Sequence, residues 1–160
     1  MNIKISKSLL LITSVILFSC NSDDEKSNSP SPNSSTNFRV SMGSKTYSTD
    51  TANFDVSSSS TIQIYASKQM YTETFIINFE GIATGNYDFT TNATATYSVK
   101  SGPGVLDYDV YQARRGNVNL TAADTANSIS GNFSFTAINV SDPTDSIVFT
   151  NGSFTLPREN

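Results

Sequence analysis

The sequence predicts an all-β domain: an antiparallel β-sandwich of about ten short strands, with a closed β-barrel as the alternative. Three observations predict it. Apolar residues recur at every second position in run after run, which places each set on one face of a strand. The runs are rich in Thr, Tyr, Phe and Ile, residues that suit a pleated surface. Gly, Asn, Asp and Pro divide them at intervals of roughly 8–12 residues, the spacing of sandwiches and barrels. No segment carries a helical period.

The elements follow in order. Phe38 to Val40 and Thr46-Tyr47 flank Met42-Gly43-Ser44, a hairpin turn signal. Phe54 and Val56 alternate with polar residues, and Ile62, Ile64 and Ala66 do so again, with Tyr65 on the opposite face. Phe75, Ile77 and Phe79 form a run that ends at Gly81. Tyr87 and Phe89, Tyr97 and Val99, and Tyr108 and Val110 continue the period, the last pair predicted to face inward. Val118 and Leu120 make a short run, separated from the preceding one by Arg114-Arg115-Gly116, predicted to be solvated turn residues or partners of Asp107 and Asp109. Ile129, Gly131, Phe133, Phe135 and Ala137 form the longest run, in which Gly131 marks a bulge or a close backbone approach. Ile147 to Phe149 and Phe154 to Leu156 end the pattern. Asn151-Gly152 between them is a hairpin signal taken alone.

The N-terminal part is organised differently. Lys4 and Lys7 precede the apolar stretch Leu9 to Phe18, and Ser19-Cys20 follows. About 10 apolar residues are roughly half of a membrane-spanning helix, so the stretch reads as a signal h-region. Leu17 three positions before the sole cysteine, and a small residue next to it, make this a bacterial lipoprotein signal with Cys20 as the acylated residue, although Phe18 is bulkier than usual at its position. One acyl chain binds membranes weakly, and two or three would hold effectively permanently. Residues 1–19 are thus expected to be a signal peptide, 20–37 a lipidated N-terminus and disordered tether, and 38–160 the folded domain. Ser27 to Asn37 contains no apolar residue, and such a segment cannot bury enough surface to offset its ordering entropy.

Charge and composition exclude several functions. Without Lys4 and Lys7, eight basic residues face fourteen acidic ones, a net charge of −6. A phosphate-binding surface is basic, so nucleic acid is not an expected partner. The chain has no histidine, which removes Ser-His-Asp and Cys-His nucleophile systems and zinc sites of His and Cys. No cofactor, metal or catalytic residue is expected. Asp107 and Asp109 flank Tyr108 and, in a strand, share one face, where they could act as an acid/base pair on a polysaccharide. The plainer reading puts them on a solvent face. Asp142-Pro143-Thr144-Asp145 offers oxygens but too few for calcium, and reads as a polar turn.

Several motifs carry a resemblance. They are Thr84-Gly85-Asn86-Tyr87, Gly116 to Thr121 with Asp124, Ile129 to Ala137, and Phe149-Thr150-Asn151-Gly152-Ser153-Phe154. Together with the hairpin from Phe38 to Tyr47, they make the region resemble a family of uncharacterised Bacteroidota lipoproteins with a β-rich domain of unknown function. The likeness implies no catalytic residue. It does imply that the segment through Asn151-Gly152 is one continuing strand with a local irregularity. Ser22, Asp23, Asp24 and Glu25 resemble the surface-export signal of such lipoproteins, which implies an outer-membrane, lipid-anchored protein at the cell surface. Asp50-Thr51-Ala52, Asp124-Thr125-Ala126 and Asp145-Ser146-Ile147 resemble the O-glycosylation acceptor of exported Bacteroidota proteins, with Thr51, Thr125 and Ser146 as the acceptors.

The expected function is a non-catalytic surface-binding or structural domain on a cell-envelope lipoprotein. Its expected partners are the membrane, through the N-terminal lipid, and a glycan or envelope protein. The alternatives are a carboxylate-dependent polysaccharide-active enzyme and a barrel that holds a small apolar ligand.

Overall fold

A computed structural model describes residues 36–159. Cys20 and the acidic cluster Ser22, Asp23, Asp24 and Glu25 lie outside the described residues. The strands are β1 (Asn37–Met42), β2 (Lys45–Thr49), β3 (Ala52–Val56), β4 (Thr61–Ser67), β5 (Glu73–Glu80), β6 (Gly85–Asp88), β7 (Ala93–Lys100), β8 (Tyr108–Asp124), β9 (Ser128–Asn139) and β10 (Ser146–Pro157). A short 3₁₀ turn at Gln69–Tyr71 joins β4 to β5.

The expectation of an antiparallel all-β domain of ten strands is borne out, in its barrel-like form. One sheet runs β2-β1-β10-β9-β8-β7-β5-β4-β3, with β6 paired to β8 off that path. The sheet curls until its ends nearly meet. Phe54 of β3 bridges Arg158 just beyond β10, and the Glu159 N–H donates to the Phe54 carbonyl at 2.8 Å. Closure of this kind removes most of the unpaired edge that an open sheet exposes.

The two-residue period explains the interior. Alternate residues of β9, from Ile129 to Ala137, are buried, as are Ile62, Ile64 and Ala66 of β4 and Phe75, Ile77 and Phe79 of β5. Aromatic rings fill the space. Phe75 sits among Phe38, Tyr47, Tyr97 and Phe149 at centroid distances of 5.4, 4.8, 4.6 and 5.4 Å. Phe135 stacks on Phe149 at 4.5 Å.

Bulges change the reading of β8. Tyr108–Asp124 is one 17-residue strand, so Arg114-Arg115-Gly116 lies within it and is not a turn. The register with β9 shifts between Ala113 and Arg115 and again between Leu120 and Ala122. Each extra residue inverts the parity of the strand. Tyr111 and Ala113 face inward before the first bulge, and Val118 and Leu120 face inward after it. Tyr108 and Val110 therefore stand on the outer face, contrary to the expectation from alternation. Gly116 has φ +118°, and a Cβ there would press on Phe135 Cα at 2.6 Å.

The last strand continues through Asn151-Gly152, as the resemblance implied. Its register with β9 shifts between Phe149 and Gly152, and Asn151 takes φ +52°. Gly131 is a close approach: a Cβ there would collide with the Asn119 carbonyl and the Phe154 ring.

Candidate functional site

The loops β4–β5 (68–72) and β7–β8 (101–107) lie side by side at one end of the barrel. Pairing puts them there: Glu73 opposes Val99, Lys100 opposes Tyr108, and the Lys100 N–H donates to the Thr72 carbonyl at 2.9 Å. Four of the seven large hydrophobic side chains exposed among the described residues are on these loops: Met70 (86%), Tyr71 (62%), Val105 (86%) and Leu106 (90%). Full burial of side chains such as Val, Leu and Met stabilises by roughly 1.5–3 kcal/mol each, which this rim forgoes.

The backbone holds the rim open. Met70 and Tyr71 both adopt the left-handed region, at φ +60° and +55°. That conformation costs roughly 1–2 kcal/mol per non-glycine residue. Strain of this kind concentrates at functional positions. The Tyr71 N–H closes the turn on the Lys68 carbonyl at 2.9 Å.

Below the loops, the outer sheet face carries Tyr65, Thr74, Ser98, Tyr108 and Val110. With Tyr71 they line an open depression of about 370 Å³. Between the two loops a second depression is lined by Lys68, Thr72, Glu73, Val99, Lys100, Ser101 and Gly102.

The inward side of the same end is polar. Lys68 Nζ reaches Glu73 Oε2 at 2.6 Å and lies 4.7 Å from the centre of the Tyr47 ring. The Tyr47 hydroxyl is buried with no hydrogen-bond partner among the described residues. Burial, and then the nearby Glu73 charge, push the Tyr47 and Tyr97 phenols well above the ordinary tyrosine range. The Tyr111 hydroxyl donates to Asp145 Oδ2 at 2.6 Å, and that bond raises the phenol. Such tyrosines stay neutral at physiological pH.

The residues singled out from sequence are scattered. Asp107 precedes β8 and accepts the Gly104 N–H at 2.6 Å, whereas Asp109 lies within β8 opposite Val99, on the face that Tyr111 shares. The two carboxylates do not share a strand face. Arg114 and Arg115 are exposed, Arg115 Nε contacts Thr136 Oγ1 at 3.3 Å, and among the described residues neither pairs with Asp107 or Asp109. Asp142 accepts the Thr144 hydroxyl at 2.6 Å and its N–H at 3.0 Å, bonds that lower its pKa and close a polar turn. Thr51 is exposed between β2 and β3, Thr125 is half-buried in the β8–β9 turn, and Ser146 is exposed at the start of β10. Sequence reasoning missed the rim. Its one local signal is Val105-Leu106, an apolar pair set in a Gly-Pro-Gly loop.

The family model for a domain of unknown function, DUF6252, matches residues 34–156. No curated protein and no solved structure matches the chain.

Proposed function

The chain belongs to this DUF6252 family, and from that premise we propose that it is a lipid-anchored lipoprotein of the outer membrane, exposed at the cell surface, whose β-domain is a non-catalytic binding module. Cys20 after the apolar signal, and Ser22 with the acidic Asp23, Asp24 and Glu25, support the anchor and the surface address. Aromatic and aliphatic side chains fill the interior, which favours the outside of the barrel over an enclosed cavity as the binding surface. One observation carries the binding role: two neighbouring loops hold Met70, Tyr71, Val105 and Leu106 in solvent, two of them at a cost in backbone strain. A domain selected only for stability would bury or replace these side chains. A glycan or an envelope protein is the partner class expected from the sequence.

Oxidative footprinting tests the binding role. Met70 in intact cells should oxidise several-fold more slowly than Met70 in the purified chain. Equal rates would contradict an occupied rim.

A further inference from the structure

We propose that the rim of the β4–β5 and β7–β8 loops docks on a lipid bilayer, seating the domain against the membrane that holds its anchor. The inference rests on the lipid-anchor reading and names the contact made by the same rim.

The side chains are layered as a bilayer surface is layered. Met70, Val105 and Leu106 are the most exposed of the large hydrophobic side chains among the described residues. Tyr65, Tyr71 and Tyr108 surround the depression on the adjoining sheet face, with Thr74 and Ser98 among them. Lys100 stands between the loops, while Lys68 beside it is turned inward to Glu73 and Tyr47. Aliphatic tips enter the acyl boundary, tyrosines favour the headgroup level, and lysines extend toward water along their stems. Apolar pairs on two separate loop tips suit a deformable medium better than one flat protein face.

The path of the chain points to the same occupant. Phe38 pairs with Thr49, and the Thr49 hydroxyl donates to the Ser67 carbonyl at 2.8 Å. Asp50 lines a depression with Lys68 and Met70. The polypeptide therefore enters the domain beside the β4–β5 loop. From Cys20 through Thr36 there are 17 residues, a reach of at most roughly 60 Å. Tethering makes docking intramolecular, so a weak contact is enough to populate it. The net charge of the mature chain is negative. Apolar contact must then supply the attraction, and zwitterionic lipid should be preferred over anionic lipid.

The chain contains no tryptophan, so Leu106→Trp introduces a unique reporter. The lipidated full-length variant is placed in phosphatidylcholine vesicles. Its emission should shift to the blue and be quenched by brominated acyl chains. Ile82→Trp, in the β5–β6 loop at the other end of the barrel, should show neither change. Water-like emission from Leu106→Trp, or equal quenching of both variants, would overturn the docking. Vesicle co-flotation separates the two readings. Co-flotation without quenching removes the docking alone and leaves the rim to a glycan or protein. A chain that floats no better than Cys20→Ala removes the anchor and the docking together.

Discussion

The Tyr111 hydroxyl and Asp145 Oδ2, 2.6 Å apart, tie the inner face of β8 to the β9–β10 turn. Asn139 Nδ2 approaches the same oxygen at 3.5 Å, and its Oδ1 accepts the Ser141 N–H at 2.8 Å. The bond anchors one side of the barrel mouth. Tyr111→Phe keeps the ring and loses the bond, which should cost about 1 kcal/mol. Urea denaturation measures it, and Asp145→Asn should cost no more than a similar amount.

The three inward tyrosines make stability fall in alkali. Tyr47, Tyr97 and Tyr111 have phenols raised in the folded state above the reference value of 10.0. Above that pH the unfolded chain releases protons that the folded chain retains. Their contribution is complete below about pH 10 and is lost as pH rises from there toward the folded values. Thermal melts across pH 8–12 should show a steep fall beginning near pH 10. Tyr97→Phe should flatten it, whatever that substitution does to stability at pH 7.

Phe75 lies at the centre of the aromatic interior, against Phe38, Tyr47, Tyr97 and Phe149. Phe75→Ala should cost roughly 3–5 kcal/mol, since the rings around it cannot all collapse into the space. Phe75→Leu should cost less. Chemical denaturation of the two variants gives the comparison.

Gly116 combines positive φ with close contact to β9. Gly116→Ala should destabilise by about 2 kcal/mol or more, well beyond the usual effect of removing a glycine. An unchanged unfolding midpoint would mean that β8 accommodates the side chain by relaxing the bulge.

Met70→Gly should behave in the opposite way. Glycine relieves the left-handed backbone, offset in part by greater freedom in the unfolded chain, so stability should hold or rise by up to about 1 kcal/mol. Contact through the rim should weaken at the same time. Melting temperature and Met-free footprinting of Tyr71 report the two effects separately.

Much of the fold is legible in the sequence because the inward residues of β4, β5 and β9 keep strict alternation. The parity of β8 is not legible. A bulge between Ala113 and Arg115 needs one extra residue against β9, and nothing local distinguishes that from a turn at Arg114-Arg115-Gly116. Tyr108 and Val110, taken as the apolar set of their own short run, therefore fall on the wrong face. The rim escapes for a related reason. Met70-Tyr71 and Val105-Leu106 are more than thirty residues apart, and the β5–β7–β8 pairing brings them together. The backbone angles at Met70 and Tyr71 have no signature in two residue types that ordinarily avoid them.

The role assigned to the rim depends on Cys20 holding the chain at a membrane. Cells grown with an alkyne-bearing palmitate analogue test this most directly. The wild-type chain should take up the label and Cys20→Ala should not. Equal labelling of the two, or none of either, would contradict the lipid anchor.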